Sequence, residues 1–312
     1  MGKINVEAWV KEFRLRFLLF VTLPVILGSA IAYEYFPAQF SLLYFVLAAV
    51  AMMLLHAGTI IINDYFDYTS GTDVINRSRT PYSGGSGMLP DKILKPGHVL
   101  AASILCFAVC IVLGLFIVVT RSTGVLLIGL AGVWLGVAYT VPPFKLAYRG
   151  LGELARLVAT PLIVSGAFLV QIPLSSWQGI DMALPAIVAC LAVSAPVALL
   201  NTAALYIFEF PDFEADRQTG KRNLVVRLGR ARAAWLFHAM AVLAFLSLAV
   251  FIAIGIIPLT GLAVLLLLPA SAYAAIGLTK YNAEAKALVP YMRAASGAYI
   301  VATAVLALAF LL

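Results

Sequence analysis

An all-helical membrane protein, a bundle of nine transmembrane helices around a central cavity open to the cytoplasmic side, is the fold class this sequence predicts. Three observations predict it: the composition, the length of the apolar runs, and the one-sided distribution of positive charge. Hydrophobic residues make up 63% of the 312 and charged residues only 11%, with a mean hydropathy of +1.03. Soluble domains carry roughly 25% charged residues, and a chain so poor in charge cannot cover a water-facing surface. The apolar stretches fall at about 17–36, 40–62, 98–120, 123–141, 151–170, 183–208, 233–256, 259–279 and 291–312. Each holds the roughly 17–25 residues that a helix needs to cross about 30 Å of hydrocarbon. A β-barrel is excluded, because its strands alternate polar and apolar residues instead of running solidly apolar.

Nine spans put the two chain ends on opposite sides of the bilayer, so alternate loops share a face. Sorted this way, twenty of the 21 Lys and Arg residues lie on the face of the N-terminus, and Arg121 alone lies on the other. Cytoplasmic loops are enriched in Lys and Arg, which places the N-terminus and the long loops in the cytoplasm of a multi-pass protein of the cytoplasmic membrane. The net charge of +7 is then a topological signal, and no nucleic-acid partner is expected. The lipid bilayer is the expected surrounding.

In chain order, residues 1–16 read as an interfacial amphipathic segment. Val6, Trp9, Val10, Phe13 and Phe17 recur at helical spacing opposite Lys3, Glu7 and Lys11. With eight spans behind it, the first apolar run reads as a retained helix and not a cleaved signal. The second span ends in Asn63-Asp64-Tyr65-Phe66-Asp67, followed by Asp73; the sixth ends in Glu209-Phe210-Pro211-Asp212-Phe213-Glu214-Ala215-Asp216. Asn63 and Asp67 are four apart, as are Asp212 and Asp216, so each pair shares a helix face. Carboxylates about 6 Å apart repel by roughly 3 kcal/mol at an effective dielectric near 20, so both clusters need cations. Oxygen donors without His or Cys suit Mg²⁺, which keeps some water and completes its shell with substrate phosphate.

Between the clusters runs Tyr139-Thr140-Val141-Pro142-Pro143-Phe144-Lys145-Leu146-Ala147-Tyr148-Arg149-Gly150-Leu151-Gly152-Glu153. Pro142 and Pro143 stop the fourth helix, since neither has an N–H to donate. Lys145 and Arg149 are then available to phosphate. The loop after the first cluster carries Arg77, Arg79 and Ser83-Gly84-Gly85-Ser86-Gly87, whose backbone N–H groups can face an anion, though it reads equally as a lid or as slack. The loop after the second cluster carries Gly220-Lys221-Arg222, with cations suited to diphosphate or lipid headgroups. Asn201, inside the sixth span, either lines the cavity or bonds a neighbouring helix. His56 reads as a core hydrogen-bonding residue, and Cys106, Cys110 and Cys190 lie in apolar runs without metal spacing.

These residues resemble the UbiA superfamily of intramembrane prenyltransferases. The resemblance covers nearly the whole chain, 1–312, as a single domain. It rests on Asn63-Asp64-x-x-Asp67, on Asp212-x-x-x-Asp216 with Gly220-Lys221-Arg222 behind it, and on the Tyr139–Glu153 string, which is most similar to the menaquinone-type 1,4-dihydroxy-2-naphthoate prenyltransferases. The resemblance implies Mg²⁺ held by Asn63, Asp64, Asp67, Asp212 and Asp216, with Asp64, Asp67, Asp212, Asp216 and Lys145 catalytic. It implies an isoprenoid diphosphate donor and an aromatic acceptor, met by Arg14, Arg79, Tyr139, Lys145, Tyr148, Asn201, Lys221 and Arg222. Tyr65, Phe66, Tyr139 and Tyr206 are the aromatic residues expected to face an allylic cation.

Other acceptors (4-hydroxybenzoate, glyceryl phosphate, chlorophyll-type) and terpene cyclisation are alternatives within the same superfamily. A transporter is the rival from another class. Transport usually needs broken helices or charges at the bilayer centre, whereas the charges here gather at one face.

Overall fold

The computed structural model describes residues 5–173 and 180–312, with side chains from 184 onward in the second part. Lys3, counted in the amphipathic segment, lies outside the described residues. The helices are α1 (Val6–Glu12), α2 (Leu19–Tyr35), α3 (Leu42–Thr69), α4 (Thr72–Ile75), α5 (Pro96–Thr120), α6 (Val125–Ala138) and α7 (Gly152–Gln171). They continue as α8 (Ile180–Tyr206), α9 (Glu209–Gln218), α10 (Leu224–Leu228), α11 (Arg230–Ala253), α12 (Leu268–Tyr281) and α13 (Ala285–Ala309). No strand occurs among the described residues.

Eight segments among the described residues are long and apolar enough to cross a membrane, and the chain is a multi-pass membrane protein. The fourth expected span, 123–141, is shorter than its apolar run. It is helical only over Val125–Ala138, 14 residues, or about 21 Å at 1.5 Å per residue. The cause is local. A turn precedes Val125, and the Pro142-Pro143 pair caps how far the helix can extend beyond Tyr139. The amphipathic segment also differs from one continuous helix: α1 stops at Glu12, Arg14 sits at φ 44°, and a 3₁₀ turn over Leu15–Leu18 leads into α2.

The bundle has a solid half and a hollow half. α2, α7, α8, α11, α12 and α13 pack on one another around one large apolar core that includes Leu27, Val164, Val193, Phe237 and Tyr299. The hollow half lies between α2, α3, α5, α6 and α7, where a cavity of about 530 Å³ opens. Outward-facing Val119, Leu127 and Leu266 are more than three-quarters exposed, as expected where the outer solvent is hydrocarbon.

Two contacts fix the helices that wall the cavity. At Gly28 an added Cβ would stand 2.1 Å from the Val164 backbone oxygen, so α2 and α7 touch backbone to backbone. Small residues permit such approach in lipid, where dispersion contacts replace the hydrophobic drive. At the end opposite the aspartates, Arg121 donates to the carbonyls of Gln39, Val170 (3.3 Å) and Gln171 (2.6 Å) and lies 5.0 Å over the Tyr44 ring. Arg121 thereby ties the α2–α3 turn to the end of α7.

Gly28→Ala is expected to destabilise the protein by about 1–3 kcal/mol, because backbone cannot yield to the new methyl. Thermal unfolding in detergent measures this, and an unchanged Tm would show that α2 and α7 separate without cost.

Candidate active site at the aspartate face

The last turns of α3 carry Asn63, Asp64 and Asp67. Gly71 then turns the chain at φ 86° into α4, which carries Asp73. The second motif is not the end of a long span: α8 stops at Tyr206, and Asp212 and Asp216 ride on the separate helix α9. Thr72 and Thr219 join the two regions by a hydroxyl contact of 2.8 Å. Asp64, Asp67, Asp73 and Asp216 are all buried.

Two cations stand among these carboxylates. Arg14 from the start of the bundle pairs with Asp64. Lys221 Nζ lies 2.8 Å from Asp67 Oδ2 and 3.7 Å from Asp216 Oδ1, so one ammonium bridges the two motifs. Five carboxyls (Asp64, Asp67, Asp73, Asp212 and Asp216) thus meet two positive side chains. Neutral donors take part of the remaining charge. Asn63 Nδ2 donates to Asp67 at 3.2 Å, Asn76 Nδ2 to Asp212 at 2.7 Å, and Asn223 Nδ2 to Asp216 at 2.8 Å.

The glycine-rich loop is a cover over this cluster. Gly84 N–H donates to Asp212 (3.1 Å) and Ser86 N–H to Asp64 (2.8 Å), so one loop spans both motifs. Ser86 Oγ donates to Glu12 Oε2 at 2.5 Å, anchoring the loop to α1. Gly85, at φ 72°, lies flush on Asp73: a Cβ there would be 2.2 Å from Oδ2.

Burial, the largest influence, pushes Asp212 up to about 6 and Asp216 up to about 8 against the opposing charge of Lys221. Asp73 is held well above the usual carboxylate range by burial and then by Asp67 and Asp64. Burial works against the charged form of Lys221, but Asp216 and Asp67 together outweigh it and keep the ammonium protonated.

The cavity wall brings Arg14, Asn63, Asp67, Tyr139 and Asn201 together with Asp212, Asp216 and Lys221. Asp64 stands just behind the wall, paired with Arg14. Tyr148 is also behind it, donating to Asp67 at 2.5 Å. Lys145 is not on the wall; its Nζ lies 4.9 Å over the Tyr148 ring. Arg79 faces Asp91 at 3.3 Å, and the exposed Arg222 joins the fold through its backbone N–H on the Tyr148 carbonyl. Asn201 both lines the cavity and bonds Thr160 Oγ1 of α7 at 3.0 Å. Of the four aromatic residues expected around a cation, only Tyr139 is on the wall; Phe17, Phe20, Tyr82 and Phe208 are there as well.

A second polar group on the same wall includes one expected site residue, Tyr139, and three that were not expected there: Glu153, Arg156 and Glu209. Arg156 donates to Glu209 Oε1 at 2.6 Å and, through Nε, to the Tyr139 hydroxyl at 3.0 Å. Glu153 Oε1 accepts the Leu224 N–H at 3.0 Å. Burial first, then the neighbouring Glu153 charge, pushes Glu209 well above the usual carboxylate range. The signal for this group was present in the sequence: Glu153 and Arg156 are an i, i+3 charged pair in the first turn and a half of an apolar span, where charge needs a reason.

Beyond the polar rim the cavity is apolar. Met52, Leu55, Leu115, Val118, Leu126 and Val133 line it as far as Ile117, Val125 and Val170 at the opposite ends of α5, α6 and α7. A charged mouth thus leads into an apolar shaft. Residues 21–297 match the model of the UbiA prenyltransferase family.

The chain belongs to that family.

Among curated relatives, the 1,4-dihydroxy-2-naphthoate octaprenyltransferase of Bacillus subtilis is 26% identical over 72% of this chain and 66% of its own length, just under two thirds. The 2-carboxy-1,4-naphthoquinone phytyltransferase of Synechocystis is 29% identical over 80% of this chain and 74% of its own. Two solved structures share the fold. A digeranylgeranylglyceryl phosphate synthase has TM-score 0.57 at 18% identity, covering 98% of this chain and 97% of that one. A UbiA homologue from Archaeoglobus fulgidus, bound to DMAPP and Mg²⁺, has TM-score 0.54 at 15% identity, covering 96% and 98%.

The donors gathered here fit a hard cation. All are oxygens or side-chain amides, and the buried Asp216 Oδ1 is met only by the Lys221 ammonium, 3.7 Å away. Among the described residues no three His, Cys, Asp or Glu side chains are grouped to hold a metal ion by themselves.

Raised carboxyl pKa values carry a stability signature. A carboxyl that holds its proton more tightly folded than unfolded makes stability fall as pH rises between the two values, here from the ordinary 3.8 to about 8 for Asp216. With EDTA present, Tm is expected to drop between about pH 5 and 8, and Asp216→Asn is expected to flatten that slope. A flat profile in the parent protein would show that Asp216 is not proton-bound at rest.

Proposed function

We propose that this UbiA prenyltransferase moves a prenyl group from an isoprenoid diphosphate to an aromatic acceptor of the 1,4-dihydroxy-2-naphthoate kind and releases pyrophosphate. The observation that carries the reading is Lys221 bridging Asp67 and Asp216 at the mouth of a cavity of about 530 Å³ with apolar walls. That juxtaposition suits a molecule with a multiply charged head and a hydrocarbon tail. The named relatives act on naphthoate-type acceptors, which supports the acceptor class.

Asn63, Asp64, Asp67, Asp212 and Asp216 would hold Mg²⁺, with Asp73 as a further oxygen donor behind Gly85. Bound there, Mg²⁺ supplies Lewis-acid stabilisation of the departing pyrophosphate. Arg14 and Lys221 lie where they can exchange a carboxylate for a phosphate oxygen, sharing the leaving group's charge. Lys221 takes the part that the sequence resemblance allots to Lys145. The Ser83–Gly87 loop, bonded to Asp64 and Asp212 at once, must release those bonds or re-form them around the bound head group. The apolar shaft excludes water from the allylic carbon, and aromatic faces such as Tyr139, Phe17 and Phe208 border the mouth. The positive-charge asymmetry supports an aspartate face turned to the cytoplasm and a location in the cytoplasmic membrane.

Asp67→Ala and Asp212→Ala are each expected to lower Mg²⁺-dependent transfer about 10²–10³-fold in reconstituted membranes, as loss of one preorganised charge-stabilising contact does elsewhere. Lys221→Ala is expected to raise the donor KM, whereas Lys145→Ala leaves it within a few-fold of the parent. Radiolabelled geranylgeranyl diphosphate with an acceptor panel reads all four variants. Full activity of either aspartate variant would defeat the proposed metal set.

A further inference from the structure

Two turns that serve the aspartate cluster each send one side chain to it and leave the following arginine exposed. In the turn before α7, Tyr148 donates to Asp67, and the next residue, Arg149, is exposed. In the turn between α9 and α10, Lys221 stands between Asp67 and Asp216, and the next residue, Arg222, is exposed. The Arg222 N–H donates to the Tyr148 carbonyl at 3.0 Å, so backbone joins the two turns.

Arg227, also exposed, completes the group from α10. Its side chain lies against Gly150, which sits at φ 68°: a Cβ there would stand 2.6 Å from Arg227 Nε and 3.2 Å from the Arg222 carbonyl oxygen. Backbone carbonyls orient two of the three side chains. Arg227 Nε donates to the Arg222 carbonyl at 2.9 Å, and Arg149 Nη2 to the Pro143 carbonyl at 2.8 Å. A guanidinium has five N–H donors, so most of each fork stays free.

Among the described residues none of the three has a carboxylate within ion-pair distance, whereas Arg14, Arg79, Arg156, Arg217 and Arg230 each have one. Like charges gathered on joined turns repel, and an anion placed among them removes that cost. Arginine forks match the oxygens of a phosphate. The neighbouring residues narrow the anion to one that carries hydrocarbon. Leu151 and Leu154 follow Arg149 into α7, Leu228 follows Arg227, and all three are exposed. Basic residues edged by apolar ones, at the ends of membrane-crossing helices, fit the headgroup level of a bilayer.

We propose that Arg149, Arg222 and Arg227 bind the phosphate of an anionic phospholipid whose acyl chains run past Leu151, Leu154 and Leu228. None of the three arginines lines the cavity, so the site is separate from the one that would take a prenyl donor. The inference goes beyond the prenyl-transfer reading and does not depend on it.

The test immobilises the full chain in dodecyl maltoside micelles and measures binding of radiolabelled dioleoylphosphatidylglycerol by scintillation proximity. Unlabelled phosphatidylglycerol, the phosphatidylcholine of the same chains, and glycerol phosphate serve as competitors. In the parent protein phosphatidylglycerol is expected to compete about tenfold or more better than either of the others. One arginine near an anionic lipid is worth about fivefold in affinity, so Arg149→Gln with Arg227→Gln is expected to weaken phosphatidylglycerol about tenfold or more. Arg293→Gln, which removes an exposed arginine of α13, is expected to change it less than twofold. Equal competition by the two phospholipids in the parent overturns the site and needs no variant to fold. Glycerol phosphate competing as well as phosphatidylglycerol overturns the lipid assignment in favour of a free phosphate. Full affinity in the double variant, or an equal loss in Arg293→Gln, shows that these arginines are not the site and overturns it as well.

Discussion

Unbalanced negative charge, held out of water, is the constraint on which the site depends. Five carboxyls crowd the aspartate face while Arg14 and Lys221 are the only cations paired with them among the described residues. Repulsion of this kind is tolerable only because burial shifts some carboxyls toward their protonated forms and because asparagine and backbone N–H groups donate to the rest. Lys221 matters most, since it touches both motifs and so couples α3 to α9. Carboxyls crowded this way favour any further positive charge brought among them.

The architecture divides stability from function. The half made by α8, α11, α12 and α13 against α2 and α7 is packed solid, with side chains such as Tyr299 and Phe237 fully buried. The half made by α3, α5 and α6 is hollow, and α6, at 14 residues, falls short of the eight membrane-length segments. α2 and α7 belong to both, which is why their backbone contact at Gly28 has consequences for the cavity. Arg121 closes the far end by gathering carbonyls that the helix ends leave unpaired.

Two polar groups share the rim yet differ in character. The aspartate cluster has too many acceptors for its cations and is covered by the Ser83–Gly87 loop. The Arg156 group sets one guanidinium against two neighbouring carboxyls on the cavity wall. The two groups meet on α9, where Glu209 of one stands a turn from Asp212 of the other.

Much of this was legible in the residues alone. Runs of some twenty apolar residues, with Asn63-x-x-x-Asp67 and Asp212-x-x-x-Asp216 at helical spacing, determine a helical membrane protein with paired acid clusters, because hydrocarbon allows few other ways to satisfy a backbone. What chain order does not determine is which side chain reaches which point. Lys145 and Lys221 read alike as cations after a helix end, but the turn at Lys145 sends its ammonium over Tyr148, while the α9–α10 turn sends Lys221 between the aspartates. Arg156 counted as one more basic residue near a loop, until α7 and α9 met and set it against Glu209. Spacing specifies a face of one helix; only packing decides what that face meets, because the contacts that discriminate join residues 53 to 154 apart in the chain.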